Sequence, residues 1–426
     1  MIFSLDLRRA LEGDCLIIHY GSKTDPGLVV IDGGPGNVYE KNLKPRLEQI
    51  KKQHKPDEDT PLPIDLLMVS HIDDDHIVGV HKLIKELVEA KEKKKPSLFK
   101  IRNFWHNTFD DIFSSTPKEL REAVTASFGT ASLNGEPDIE GLDPTAAKVL
   151  ASVGQGRRLR DDARKLGLQI NSNFGEAQSA QELDQPDLVM AIPKGKKVDM
   201  GKGLKFTVAG PMQAELLALQ DEHDDFLKEE GLGVEAAFTD TSIPNLSSLV
   251  LLAKVGKKSM LLTGDARGDK VLEGLELVGA LKKGKTMNVD ILKMPHHGSD
   301  RNLDPIFFQR IIADHYVFSG NGGYGNPERA TLQWLWDVRG DEAYTVHLTY
   351  PIEEIDANRK KDWETEQKKE KVRQQKKPET AVRENWSQEK HSLASFFAAH
   401  EKFRNKLSFV EKDTPHVIDL LEEVGF

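Results

Sequence analysis

The 426-residue chain has a single cysteine, Cys15, so no intrachain disulfide forms and a thiolate zinc site is excluded. It also lacks a long hydrophobic run. The longest apolar stretch, around Leu246 to Val255, is too short to span a bilayer. Arg8 and Arg9 are not followed by an apolar core of signal-peptide length. The expectation is a soluble, cytoplasmic protein that does not meet a membrane. Positive charge is in deficit as well. A formal charge of −10 and a pI near 5.8 argue against a generally basic nucleic-acid coat, though not against a local basic groove. No internal repeat occurs. With 38% hydrophobic residues the composition is globular, and the length suits one large domain or two ordinary ones.

What the chain does have is concentrated in one turn, Ser70-His71-Ile72-Asp73-Asp74-Asp75-His76. It follows an apolar run, Ile64 to Val69, that reads as a buried strand, and precedes a helical pattern from Val80 to Val88. Unpaired charges confined together cost several kcal/mol each unless something positive neutralises them. A divalent metal is the simplest neutraliser. Alternating positions of an extended turn point the same way, so His71, Asp73 and Asp75 converge while His76 enters from the helix start. The competing reading is a solvated acidic loop with a helix-capping aspartate.

Around this turn the chain reads as alternating strands and helices. Leu16 to Tyr20 and Leu28 to Ile31 form a strand pair, the second ending in Asp32-Gly33-Gly34-Pro35-Gly36. A helix is predicted from about Lys41 to Gln53, a loop from His54 to Pro63, and a strand from Phe99 to His106. Residues from about 110 to 195 carry helical spacing without strand pairs and read as a mostly helical insertion. Strands resume at Leu204 to Val208, Ser248 to Leu252, Ser259 to Thr263, Val289 to Lys293 and His315 to Phe318. Helical patterns between strands in both halves suggest stacked sheets covered by helices. Beyond residue 350 the texture is charged and helical, with apolar positions at Leu393, Phe396, Phe397, Phe403 and Leu407 that pack on the body or on a partner. The basic stretch Arg359 to Lys377 reads as a solvated helix or tether before a nucleic-acid arm.

Three later strands end in chemistry-bearing residues: Leu262-Thr263-Gly264-Asp265, Lys293-Met294-Pro295-His296-His297-Gly298-Ser299, and the glycine-rich Gly322-Gly323-Tyr324-Gly325-Asn326-Pro327. Together with Gly13-Asp14, Asp32-Gly33, the His71 to His76 turn and Asn245 to Leu251, these motifs in this order resemble the metallo-β-lactamase superfamily. Within it they are most like the hydrolase domain of the competence DNA-uptake protein ComEC. The match covers about 1–105 and 203–350.

The resemblance implies a metallo-β-lactamase-like αββα sandwich over 1–350, with a helical insertion and a charged helical C-terminal extension, 351–426. It implies a binuclear site for two divalent ions, Zn²⁺ or Mn²⁺. One ion is assigned to His71, Asp73 and a donor near Asn245. The other is assigned to Asp75, His76 and one of His296 or His297, with Asp265 bridging. Asp32, Asn245, Ser248 and Asn326 fall in the supporting shell. A water acidified by the ions then attacks a phosphoryl or carbonyl centre. Asp75, Asp265, His297 and Tyr324 are the candidates for the catalytic work.

Two positions depart from the family pattern. Asp73 stands for a histidine, which hardens the first site toward Mn²⁺ or Mg²⁺. Asn326 also replaces a histidine, which shifts any proton-donor role to Tyr324 or His297. No third histidine is secure for the first site; His106 reads first as a packing residue. His19, His81 and Cys15 read as structural, and Lys91 to Lys95 and Arg157 to Arg160 as solvated faces. The leading functional expectation is a phosphodiesterase or nuclease acting on nucleic acid or a nucleotide. The alternatives are hydrolysis of a small ester, lactone or phosphocholine-type substrate, or a subunit of a multi-protein system such as a bacterial defence system. In that last case a protein partner docks through the insertion or the tail.

Overall fold

The computed structural model describes residues 1–54, 59–107, 155–156, 158–174, 188–216, 245 and 247–426. The insertion read as helical lies largely outside these residues; where described, 158–166 is helical. Among the described residues no helix is long and apolar enough to cross a membrane.

Side chains alternate faces along a strand, and here both faces are buried. In β1 (Ile2–Leu7), β2 (Leu16–Gly21) and β3 (Pro26–Ile31), Leu5, Ile18, Val29 and Ile31 enter one core. Ile17, Leu28 and Val30 enter another. After a short β4 (Leu62–Ile64) come β5 (Leu66–Met68), β6 (Phe99–Ile101) and β7 (Phe104–Trp105). The second half supplies β8 (Lys197–Asp199), β9 (Leu204–Gly210), β10 (Val250–Val255), β11 (Lys258–Leu262), β12 (Met287–Lys293), β13 (Ile311–Phe318) and β14 (Thr345–Leu348). In β10 the same division recurs: Leu251, Ala253 and Val255 face the first core, Val250 and Leu252 a third.

With β15 (Leu407–Phe409) and β16 (His416–Asp419) from the C-terminal segment, two large sheets result, one of order β16-β1-β2-β3-β5-β7 and one of order β15-β14-β13-β12-β11-β10-β9-β8. The first core lies between them. The outer face of the first sheet is covered by α1 (Lys44–His54) and α2 (Asp74–Glu92). The other carries α3 (Gly268–Leu277), α4 (Pro305–Arg310), α5 (Arg329–Arg339) and the first turn of α6 (Ile352–Lys376). Helix, sheet, sheet, helix is the αββα order expected.

Three details differ from the sequence reading. The run Ile64 to Val69 is split at Asp65, Ile64 ending β4 and Leu66–Met68 forming β5 in a different sheet. Phe99 to His106 is not one strand: β6 pairs with β4 in a separate two-stranded sheet, and β7 pairs with β5 in the main one. The break falls at Arg102 and Asn103, which bond Asp65 by side chain. The segment beyond 350, read as charged and helical, also supplies an edge strand to each sheet. β15 (Leu407–Phe409) extends the second beside β14, and β16 (His416–Asp419) the first beside β1.

Candidate metal centre

Strands that stop at one edge of the sandwich deliver the site. β5 runs into Val69, Ser70 and the acidic turn, and α2 begins at once. Asp73 occupies the N-cap position of α2, yet its side chain makes no cap hydrogen bond, so helix capping does not account for it. Close backbone packing holds the turn. A Cβ on Gly13 would meet Asp75 O at 1.8 Å, and one on Gly79 would meet Gly33 O at 2.0 Å. Only glycine permits these approaches.

From the other sheet, Asp265 follows β11, and His296 and His297 follow β12. Both histidines adopt left-handed backbone, φ 45° and 55°. That conformation costs an L-residue roughly 1–2 kcal/mol, and it is retained where surrounding structure over-determines it. Its effect here is that two adjacent side chains, which ordinarily diverge, reach the same carboxylate.

Four imidazoles surround Asp265. Nε2 of His71, His296 and His297 lies 3.8, 3.6 and 3.3 Å from its Oδ2, and Nε2 of His76 lies 3.4 Å from its Oδ1. Each ring is held from behind through Nδ1. His76 Nδ1 meets Asp32 at 2.8 Å, His297 Nδ1 meets Ser319 Oγ at 2.8 Å, and His296 Nδ1 meets Asn302 Oδ1 at 2.8 Å. His71 Nδ1 lies 3.2 Å from Ser70 Oγ. Asp32 fixes that serine in turn, accepting from its backbone N–H at 2.7 Å and its hydroxyl at 2.6 Å. Ser248 Oγ accepts from the Asp265 N–H, and Asn245 stands behind His296 at 3.5 Å.

The donor set fits divalent metal binding. Buried Nε2 atoms of His71, His76 and His297 have no hydrogen-bond partner, which in a native interior calls for a ligand. Tetrahedral bonds of ~2.0–2.1 Å place donor atoms about 3.4 Å apart, close to the spacings around Asp265. Asp75, His76, Asp265 and His297 each offer an atom within 4.8 Å of one another, and so do His71, Asp73 and Asp75. Asp75 thus belongs to both groups. Of His296 and His297, only His297 falls in the group with Asp75, His76 and Asp265, while His296 approaches Asp265 Oδ2 at 3.6 Å from outside that group. Tyr324, by contrast, is 63% exposed on its turn, outside the buried cluster, while Asn326 is buried.

Without a metal the charges settle as expected for a crowded interior. Burial opposes ionisation of Asp265, but His297 and His76 outweigh it and hold its pKa well below the ordinary value. Burial likewise opposes charging His297, yet Asp265 raises it to about 9, and His76 is also raised. His71 and His296 go the other way, with burial the leading cause.

Two residues quoted in the motifs without a role turn out to line the centre. Asp14 lies 3.4 Å from His297 Nδ1 and 3.9 Å from His76 Nδ1. It pairs with the buried ammonium of Lys293, which donates to Gly264 O at 3.0 Å and lies 3.7 Å from Asp265 Oδ1. Their place inside the Gly-Asp and Lys-x-x-His-His motifs was the available signal. The residues read as structural behave so. His19 meets Asp6 at 3.5 Å, His81 meets Asp162 at 3.6 Å, and Cys15 is buried with its thiol pushed up. His106 is fully buried, and burial depresses it to about 3.

Layer order, topology and the edge site together define a metallo-β-lactamase-like αββα sandwich, compatible with divalent metal binding. Residues 10–159 match the family model of the metallo-beta-lactamase superfamily. Among solved structures, the chain is similar to a protein described as a metal-dependent hydrolase from Parabacteroides distasonis. The identity is 8% and the TM-score 0.30, over 80% of this chain and 97% of that one. It is also similar to a mutant of the CmlA beta-hydroxylase, at 13% identity and TM-score 0.33, over 81% of this chain and 52% of that one. No curated protein matches the sequence.

Proposed function

We propose that the protein is a metal-dependent hydrolase of phosphodiesters, in nucleic acid or nucleotides, built on a two-ion centre. The observation that supports this reading is the convergence of four Nε2 atoms on one carboxylate, each ring secured through Nδ1. His71, Asp73 and Asp75, with His296 nearby, would hold one ion, and Asp75, His76, Asp265 and His297 would hold the other. When bound, paired divalent cations acidify water and neutralise charge developing on phosphoryl oxygens. The chain's own part is positional. Asp32 keeps His76 in the tautomer that leaves Nε2 a lone pair, and Ser319 and Asp14 do the same for His297. The resemblance to the ComEC-type domain favours a phosphodiester over a carboxylic ester.

Purified protein supplied with Mn²⁺ is expected to cleave a bis-aryl phosphodiester reporter or single-stranded DNA, with Asp75→Ala and Asp265→Ala inactive. Equal residual rates in wild type and both variants defeat the reading. Faster turnover of lactones or aryl esters across a substrate panel would defeat its phosphodiester part alone.

A further inference from the structure

Lys293 is the feature of the centre that metal binding leaves unexplained. A fully buried ammonium beside a cation site is costly, because it repels the ions the site is built to hold. Its side chain is 1% exposed at the end of β12. Its three contacts all belong to the centre's frame: the Asp14 carboxylate, Gly264 O at 3.0 Å, and Asp265 Oδ1 at 3.7 Å. Asp14 is as buried, and its backbone N–H donates to Asp75 O at 3.3 Å. The pair thus touches Asp265 and Asp75 directly, and His76 and His297 through Asp14. Charge counting gives the contact a purpose. Asp14, Asp32, Asp73, Asp75 and Asp265 supply five carboxylates. Two divalent cations and one ammonium balance them.

We propose that Lys293 is a positioning residue that acts as a permanent third cation of the centre. It holds the metal-free carboxylates together and keeps the ion beside His76 weakly bound and exchangeable. Asp265 Oδ1, the oxygen nearest His76, is the one that Lys293 shares. An ion on that side competes with the ammonium for it, whereas Oδ2 faces His71, His296 and His297. The proposal rests on the reading that this centre holds divalent cations, and not on which substrate is cleaved.

The test compares metal-free wild type, Lys293→Met and Lys293→Arg, titrated with Mn²⁺ by calorimetry and melted with and without the ion. Lys293→Met is expected to melt several degrees lower when metal-free, yet to bind Mn²⁺ at least tenfold more tightly at the weaker step. Lys293→Arg keeps the charge and stays within about threefold of wild type. A residue that served only packing would lower stability and affinity together. If Lys293→Met does not fold without metal, Asp14→Asn gives the opposite sign. Removing that carboxylate leaves the ammonium unopposed, so Mn²⁺ affinity falls at least tenfold. Weaker or unchanged Mn²⁺ binding by Lys293→Met, or tighter or unchanged binding by Asp14→Asn, overturns the role of Lys293 while the metal centre stands. Wild type that binds no Mn²⁺ overturns the centre itself and the proposal with it.

Discussion

Among the described residues histidines cluster twice, and the two clusters ask opposite things of the same side chain. At the sandwich edge, Nε2 of His71, His76, His296 and His297 converges on Asp265. Across the sheets, His315 of β13, His347 of β14 and His416 of β16 form a chain. His315 Nδ1 lies 3.0 Å from His347 Nε2, and His347 Nδ1 lies 2.9 Å from His416 Nε2. In that chain the middle ring, His347 when neutral, donates from one nitrogen and accepts on the other, so both links are satisfied. Burial, with His416 and His315 adding to it, pushes His347 down to about 3. In the first cluster a carboxylate faces the rings, and His76 and His297 are raised instead. A histidine group with unspent nitrogens aimed at a carboxylate is built to receive a cation; one whose nitrogens pair among themselves is built to join strands.

The largest effect that tests this contrast is loss of the shared carboxylate. Asp265→Ala removes the group that four imidazoles face, leaving His297 without its nearest counter-charge and His76 with Asp32. Metal content of the purified variant should fall from two ions to at most one, and hydrolysis by about a thousandfold or more. Next comes the support of one ligand. Asp32→Ala frees Ser70 and the Nδ1 side of His76. Such outer contacts are worth about 10–100-fold in metal affinity, measurable by competition with a coloured chelator. If Asp32→Ala binds metal as wild type does, the positioning argument for His76 fails.

The centre's own charges predict a pH dependence. His297 in the metal-free protein titrates at about 9, above its ordinary 6.5, and His76 is shifted the same way. A protonated imidazole is no ligand, so metal binding at neutral pH must expel protons. Affinity should therefore climb by up to roughly tenfold per pH unit per proton released and level off above about pH 9. Stability of the metal-free protein runs the other way. A raised pKa contributes stability that is fully present below 6.5 and is lost as pH rises through 9. Calorimetry in buffers of different ionisation enthalpy reads the proton count directly. A pH-independent affinity between 6.5 and 9 would mean that neither His76 nor His297 is displaced by the ion.

Much of this was legible in the chain because the informative features are local. The strands β2, β3, β9 and β11 to β13 announce themselves as apolar runs. The acidic turn stands out because no core tolerates it unpaired. What the sequence hides is anything set by long-range geometry. Nothing in Lys293 or Asp14 says that they meet, since 279 positions separate them and a lone lysine reads as a surface residue. That both His296 and His297 reach Asp265 depends on two left-handed residues in a row, which no spacing rule anticipates. The edge strands β15 and β16 are three and four residues long, with half-exposed faces, too short for periodicity to register. No sequence signal marks His416, which β16 places beside His347.

The smallest expected effect is also the control for the comparison. His347→Phe keeps the ring volume and removes both nitrogens from the middle of the chain. His315 Nδ1 and His416 Nε2 lose the partner each has there. Each lost hydrogen bond is worth about 0.5–1.5 kcal/mol, somewhat more where the remaining group stays buried, so the variant should lose about 1–3 kcal/mol in denaturant unfolding. His347 lies on β14, paired with β13 and β15, and touches none of the groups around Asp265. Metal stoichiometry, Mn²⁺ affinity and rate per active site should match wild type within about twofold. Loss of an ion in His347→Phe would mean that the chain couples the tail strand to the centre, and the division between a joining cluster and a binding cluster would not hold.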